Sequence, residues 1–405
     1  MRILILSEAF PPETKSASTL FFELAESLVK KGHQVSVITR MPRYNVAAGT
    51  DLKSLPSKET LSGVNVHRFQ TPPLARNIPF IRGFEHFLLG LIFYWGGLFE
   101  GDFDVILVYS PPLPLGIAGY WLGKAKKCPV VTNIQDLYPQ TVIDLGLLKN
   151  KFLIWVSGLM ENFIYKRSNA ITVHSSGNKD YVIAKGAPKE HTLIVHNWVD
   201  TEIIKPAGKD NEFSRKYSLL NKFVISFAGV MGFAQGLEVV IKAANLLKKH
   251  EDIMFVLVGD GVKKPELEAL AQSLGLANIK FIPTQPVDKY PQILHASDLC
   301  LVTLGKELVT PVVPGKMLSI MAAGKPVVAS LPLVGDAPKI IKENNCGVAV
   351  EASRPDLLAK AILELYNDKE SLKEIGKRGR IAAENIFSRS KTVKLYESIF
   401  NNLLK

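Results

Sequence analysis

Cysteine is scarce: Cys128, Cys300 and Cys346 are the only ones in 405 residues, far apart and without metal-ligand spacing. That excludes a disulfide-stapled scaffold and suits reduced thiols in the cytosol. Cys300 lies in the apolar run 298–303 and reads as a small buried hydrophobe. No apolar stretch reaches the roughly 20 residues a membrane-spanning helix needs. The first residues, MRILILS, are too short for a signal-peptide core and turn polar at once, so a cytoplasmic protein is expected. Low-complexity sequence and solenoid repeats are missing. So are a G-x-x-x-x-G-K-[ST] phosphate loop, a Ser/His/Asp constellation and a metal-ligating cluster. Acidic residues are outnumbered, 38 against 49 basic, for a net charge of +11. Such an excess suits an anionic partner (nucleic acid, membrane surface or phosphorylated substrate) without choosing among them.

Hydrophobic residues at 47% and charged residues at 21% are ample for sizeable cores, and the length suits two domains. Short apolar runs alternate with helical patterns. Strands are expected at 2–7, 34–39, 64–69, 104–109, 129–133, 170–174 and 192–196. After a linker-like stretch at 201–211 the rhythm restarts, with strands at 223–229, 253–258, 279–282, 298–303 and 326–330. The tail from 355 to 405 reads as helical, broken near Phe387-Ser388. Alternating strand and helix implies doubly wound parallel sheets, so two α/β halves with a cleft between them are expected. The segment 87–99, FLLGLIFYWGGLF, is too short to cross a bilayer. It reads equally as a core helix or as an interfacial segment, with Arg76 and Arg82 upstream to face anionic lipid.

In open α/β sheets, ligands bind beyond the carboxyl ends of the strands, so the loops there carry the candidates. The loop 8–18 is long for its kind and ends in Ser16, Ala17 and Ser18, small residues suited to capping a helix or presenting N–H groups to an anion. Asp136 follows the strand 129–133, where a carboxylate either meets a sugar hydroxyl or caps a turn. Gly232 and Phe233 lie in the glycine-rich stretch 229–236 at the head of the second half. Gly259 and Gly261 end the next strand, and Pro283 the one after. The most informative segment is 307–330, ELVTPVVPGKMLSIMAAGKPVVAS. There Pro314-Gly315 leads into a helix with Lys316 in its first turn. Lysine there opposes the helix dipole, which favours an anionic ligand such as a diphosphate. His174 and His196 end strands and read mainly as satisfied polar residues; His174 is kept as an acceptor-side candidate.

Residues 321–330, MAAGKPVVAS, resemble the MAxGxPVVAS signature of retaining GT-B glycosyltransferases of family four. Asn197-Trp198-Val199-Asp200 resembles their N-G-V-D segment, and 256–261 their V-x-V-G-x-G segment. Ser110-Pro111-Pro112, Asp136-Leu137-Tyr138-Pro139, 232–238 and 314–321 resemble the WbuB-like, fucosamine-transferase-like branch of bacterial surface-polysaccharide enzymes. This resemblance implies an α/β GT-B fold of two Rossmann-like doubly wound domains facing a central cleft. Its parts would be an N-terminal acceptor-side domain at 1–203, a C-terminal nucleotide-sugar domain at 204–386, and a terminal helix at 387–405 returning to the first.

It also implies transfer, with retention, from a nucleoside-diphosphate sugar, a UDP-sugar favoured, to a saccharide or lipid-linked saccharide acceptor in surface-polysaccharide or glycolipid synthesis. No cofactor, metal or nucleic-acid partner is expected. Location would be cytoplasmic, peripheral on the inner face of the membrane through 87–99. Lys316 with the Gly315 and Gly232 N–H groups would stabilise the leaving diphosphate. Gly259, Gly261, Phe233, Pro283, Pro314, Ser319 and Glu307 would complete the donor side, and Asp136 with the 14–18 loop, its Ser16, Ala17 and Ser18 on the acceptor side, would orient acceptor or sugar hydroxyls. The chain departs from the family where Ser319 replaces a ribose-binding Glu, where Ser16-Ala17-Ser18 replaces two glycines, and where Phe233 replaces a basic residue. Two alternatives stay open: a GT-B sugar-nucleotide epimerase, and a non-catalytic nucleotide-, nucleic-acid- or lipid-binding protein.

Overall fold

The structure, a computed structural model, describes residues 1–43, 46–47, 49–72, 79–144, 146–308 and 311–405, the side chains of 79–82 excepted. Arg76 and the side chain of Arg82 lie outside the described residues. The chain divides into two compact units, Met1–Asn197 with Ser390–Lys405, and Trp198–Arg389.

The first unit is built on eight strands: β1 (Arg2–Leu6), β2 (Gln34–Arg40), β3 (Lys58–Leu61), β4 (Val64–Phe69), β5 (Val105–Ser110), β6 (Val130–Ile134), β7 (Ala170–Val173) and β8 (Thr192–Ile194). Their order is β3-β4-β2-β1-β5-β6-β7-β8. All pairs are parallel except β3 against β4, a hairpin turning on Ser62 and Gly63, both at positive φ. β3 carries no apolar run, and so left no strand signal. Strands β1, β5 and β6 are buried along almost their whole length, which is why they read as continuous apolar runs.

Helices cover both faces. Phe21 of helix Ser16–Lys30 meets the Tyr109 ring edge-on at 5.1 Å, whereas Gly119 of helix Leu113–Lys126 lies against Val108. Neighbouring strand residues point oppositely, so these two helices take opposite faces. Beside Leu113–Lys126 run helices Pro79–Phe99 and Lys151–Arg167. Glycines set that close packing: a Cβ on Gly90 would lie 2.9 Å from the Pro114 carbonyl oxygen, and one on Gly116 2.9 Å from Ile164. The segment 87–99 is thus the latter part of a longer helix with two faces. Leu89 and Phe93 are buried in the core, while Phe87, Leu91, Trp95 and Phe99 are exposed. Among the described residues no helix is long and apolar enough to cross a membrane. Helix Arg389–Leu403 closes the unit, burying Tyr396 and Phe400; the Tyr396 hydroxyl accepts a 2.9 Å hydrogen bond from the Asn133 amide.

The second unit has six parallel strands, β9 (Phe223–Ala228), β10 (Ile253–Val258), β11 (Ile279–Ile282), β12 (Leu299–Thr303), β13 (Val327–Leu331) and β14 (Gly347–Glu351), in the order β11-β10-β9-β12-β13-β14. Both units are therefore Rossmann-like α/β sheets. The stretch expected as a linker at 201–211 is instead fastened to this unit. The Arg380 guanidinium donates to the carbonyls of Thr201 (3.0 Å), Ile204 (2.7 Å) and Ala322 (2.8 Å). An arginine nearly two hundred residues away in sequence supplies the order that local composition does not suggest.

Candidate functional site

In the second unit, the loops leaving β9, β10 and β12 gather with the start of helix Gly315–Ala322. The helix follows Pro314 in extended conformation, and no side chain caps it, so its leading N–H groups stay open to a ligand. Lys316 leaves the first turn and places Nζ 3.7 Å from the centroid of the Phe227 ring, at the end of β9. A Cβ on Gly229 would come within 2.9 Å of that Nζ, so glycine there leaves the ammonium its room. Lys316 makes no ion pair among the described residues. Burial alone pulls its ammonium down from 10.5 to about 7. An unneutralised, half-buried cation at an open helix N-terminus is a place for a polyanion.

Gly259 and Gly261 act through packing. A Cβ on Gly259 would collide with the Gly229 carbonyl, and one on Gly261 with the Met231 backbone; φ is +145° and +149° at the two glycines. Gly229 N–H donates to the Val258 carbonyl and Met231 N–H to that of Asp260, fixing the two loops together. The Gly232 N–H, expected to face the diphosphate, instead donates to Gln235 Oε1 at 3.2 Å. A glutamine three residues on thus satisfies that donor within its own loop. Phe233 is largely exposed, with Lys263 Nζ 5.1 Å from its ring centroid.

Gly305 N–H donates to the Ala234 carbonyl at 2.8 Å, which brings the loop carrying exposed Glu307 beside the 229–236 loop. The Ser319 hydroxyl approaches the Tyr290 phenol, a partner that sequence spacing did not reveal. Pro283 is exposed just after the edge strand β11, whose last residue, Ile282, accepts a 2.9 Å hydrogen bond from the Gly259 N–H.

In the first unit, Ser16 opens helix Ser16–Lys30, but the capping position belongs to Lys15 and no serine caps it. Ala17 is half-buried, and Ser18 is fully buried with no hydrogen-bond partner for its hydroxyl. Asp136 lies in the loop after β6, open to solvent on one side, and the protein crowded around its other side raises its carboxyl through lost hydration. Burial first, then the charges of Asp136 and Glu8, push the Tyr109 phenol up, so both carboxylates bear on one tyrosine. His174 is buried, its Nε2 donating to the Gln135 carbonyl at 3.0 Å, and so is not presented at the loop surface.

Two arrangements escaped sequence reasoning. Gln135 and Asn197 exchange amide hydrogen bonds of 2.9 and 2.8 Å. Buried Arg40 pairs with Glu8 (3.2 Å) and Glu13 (3.3 Å) and lies 3.9 Å from Glu85, pinning the long loop after β1. A charged residue closing the apolar strand QVSVITR was the available signal.

Residues 17–203 match the family model Glycosyltransferase Family 4, and residues 209–382 match Glycosyl transferases group 1; together they span most of the chain. Each half of the chain carries a glycosyltransferase family domain. The putative colanic acid biosynthesis glycosyl transferase WcaI of Escherichia coli K12 is 28% identical over 80% of this chain and 82% of its own length. Anabaena Alr3699/HepE, solved in complex with UDP, superposes with a TM-score of 0.76 at 18% identity, covering 99% of this chain and 100% of that one. Sucrose-phosphate synthase from Thermosynechococcus elongatus gives 0.77 at 16% identity, covering 99% and 98%. The fold is GT-B, and the protein is a transferase enzyme.

Proposed function

We propose that this glycosyltransferase moves a sugar, with retention at the anomeric carbon, from a nucleoside-diphosphate sugar to a saccharide or lipid-linked saccharide acceptor in surface-polysaccharide synthesis. A UDP-sugar is the favoured donor. The observation that carries this is Lys316: a cation with no carboxylate partner among the described residues, at an uncapped helix start beside a glycine-walled loop. As the bond from the anomeric carbon to the diphosphate oxygen lengthens, charge builds on the diphosphate. The Lys316 ammonium and the N–H groups of Gly315 and Lys316 stabilise it there. No protein nucleophile is invoked; the departing phosphate takes the acceptor's proton. Asp136 orients a hydroxyl of sugar or acceptor, and Ser16, exposed at the start of helix Ser16–Lys30, supplies a further hydrogen-bonding hydroxyl. The WbuB-like motifs, the similarity to WcaI and the UDP complex of Alr3699/HepE support the polysaccharide role and the UDP preference.

Ser319 deepens the donor reading. A hydroxyl beside Tyr290 offers the nucleotide one shared hydrogen bond in place of a carboxylate's pair, so the ribose is held less firmly. A thermal-shift screen of UDP-, GDP- and ADP-sugars tests the donor, with stabilisation of about 2.7 kcal/mol expected at a hundred-fold excess over Kd. Proton NMR of the product's anomeric centre tests retention. No stabilisation by any nucleotide sugar sinks the proposal.

A further inference from the structure

The chain has four tryptophans. Trp198 is buried, whereas Trp95, Trp121 and Trp155 are 57%, 53% and 59% exposed. Those three stand one on each of the neighbouring helices Pro79–Phe99, Leu113–Lys126 and Lys151–Arg167. Phe87 and Leu91 flank Trp95, and Phe152 and Leu159 flank Trp155, all exposed. The Tyr120 and Phe163 rings join the second helix to the third, with centroids 5.2 Å apart.

Charge on these helices is sorted as well. Among the described residues their only carboxylates, Glu85 and Glu161, are buried, while Lys124, Lys151, Lys166 and Arg167 are exposed. Isolated exposed apolar residues are ordinary on a soluble protein. Three exposed tryptophans on adjoining helices, which carry exposed cations and, among their described residues, no exposed carboxylate, are not scattered singles. Aromatic side chains of this kind settle at the headgroup level of a bilayer, and lysine and arginine settle on anionic headgroups. Self-association through a two-fold axis would bring cation-bearing helices together, which charge opposes.

We infer that this three-helix face is a docking surface for anionic lipid bilayers, with Trp121 and Trp155 contributing as much as the segment 87–99. The inference rests on the reading of a lipid-linked acceptor, which it deepens: the acceptor is met by a protein already seated on its membrane.

Flotation of the full chain with phosphatidylcholine vesicles, with and without phosphatidylglycerol, tests it. Wild type is expected to float with the anionic vesicles and its tryptophan emission to shift to the blue. The double variant W121S/W155S, which leaves 79–99 untouched, lowers partition at least about tenfold. The variant K124E/K151E weakens binding to anionic vesicles alone. Circular dichroism confirms that the variants fold, and UDP-induced thermal stabilisation of the same proteins reports the donor site separately. If wild type fails to float, or the double variant floats like wild type, the surface is wrong even where UDP still stabilises the protein. Self-association of wild type in sedimentation velocity, abolished by W121S/W155S, also overturns it by making the face an interface between copies.

Discussion

Replacing Lys316 with methionine keeps the length of the side chain and removes its charge. Lowering the ammonium from 10.5 to about 7 corresponds to at most about 4–5 kcal/mol, at 1.36 kcal/mol per tenfold change in acidity. Because the side chain keeps an exposed portion, about 2–3 kcal/mol is the working figure. The unfolded chain holds this proton up to about pH 10.5, the folded protein only to about 7. Stability without ligand therefore falls as pH drops between those values and is not lowered further by this group below them. K316M is expected to be more stable than wild type near pH 7, with an advantage smaller by about 1–3 kcal/mol near pH 9.5. Urea denaturation followed by circular dichroism, on both proteins at both pH values, reads the difference while titrations elsewhere cancel. With UDP at a hundred-fold excess over Kd the gap largely closes: wild type gains about 2.7 kcal/mol and K316M only a small part of it. Equal pH slopes for the two proteins, together with full stabilisation of K316M by UDP, would refute both the buried cation and its role as the diphosphate contact.

D136N is expected to lower turnover by about a hundredfold while donor-induced stabilisation persists, read by initial rates beside thermal shift. Since loss of hydration raises this carboxyl, activity should fall on acidification at a higher pH than an ordinary aspartate would give, which a pH–rate profile checks. R40M leaves the buried carboxylates of Glu13 and Glu85 without that arginine and should cost about 3–5 kcal/mol in urea denaturation. G259A forces a Cβ into the Gly229 carbonyl and should cost about 1–3 kcal/mol or more, with UDP binding weakened in calorimetry.

Much of the fold was legible because its strands are buried on both faces and carry unbroken apolar runs. The Lys58–Leu61 strand was not, since half-exposed Lys-Glu-Thr-Leu holds its place through a turn and a partner. The cationic start of the 315–322 helix was readable from Pro-Gly-Lys alone, because position relative to a helix end is local information. Long-range partners were not: Tyr290 beside Ser319 and Arg40 among three carboxylates depend on chain segments meeting in space. The segment 87–99 was ambiguous because it belongs to a helix buried along one stripe and bare along another.

The hydrogen bond between Asn133 and Tyr396 has a consequence for biogenesis. The amino-terminal sheet is made first on the ribosome, and its buried Asn133 amide finds Thr172 there, yet the phenol that takes its second hydrogen bond arrives only with helix Arg389–Leu403, after the whole second unit has emerged. Nascent chains must hold that sheet unfinished while the contiguous second unit completes itself. Translation arrested before residue 389 should therefore yield a protease-sensitive amino-terminal half beside a resistant carboxyl-terminal one.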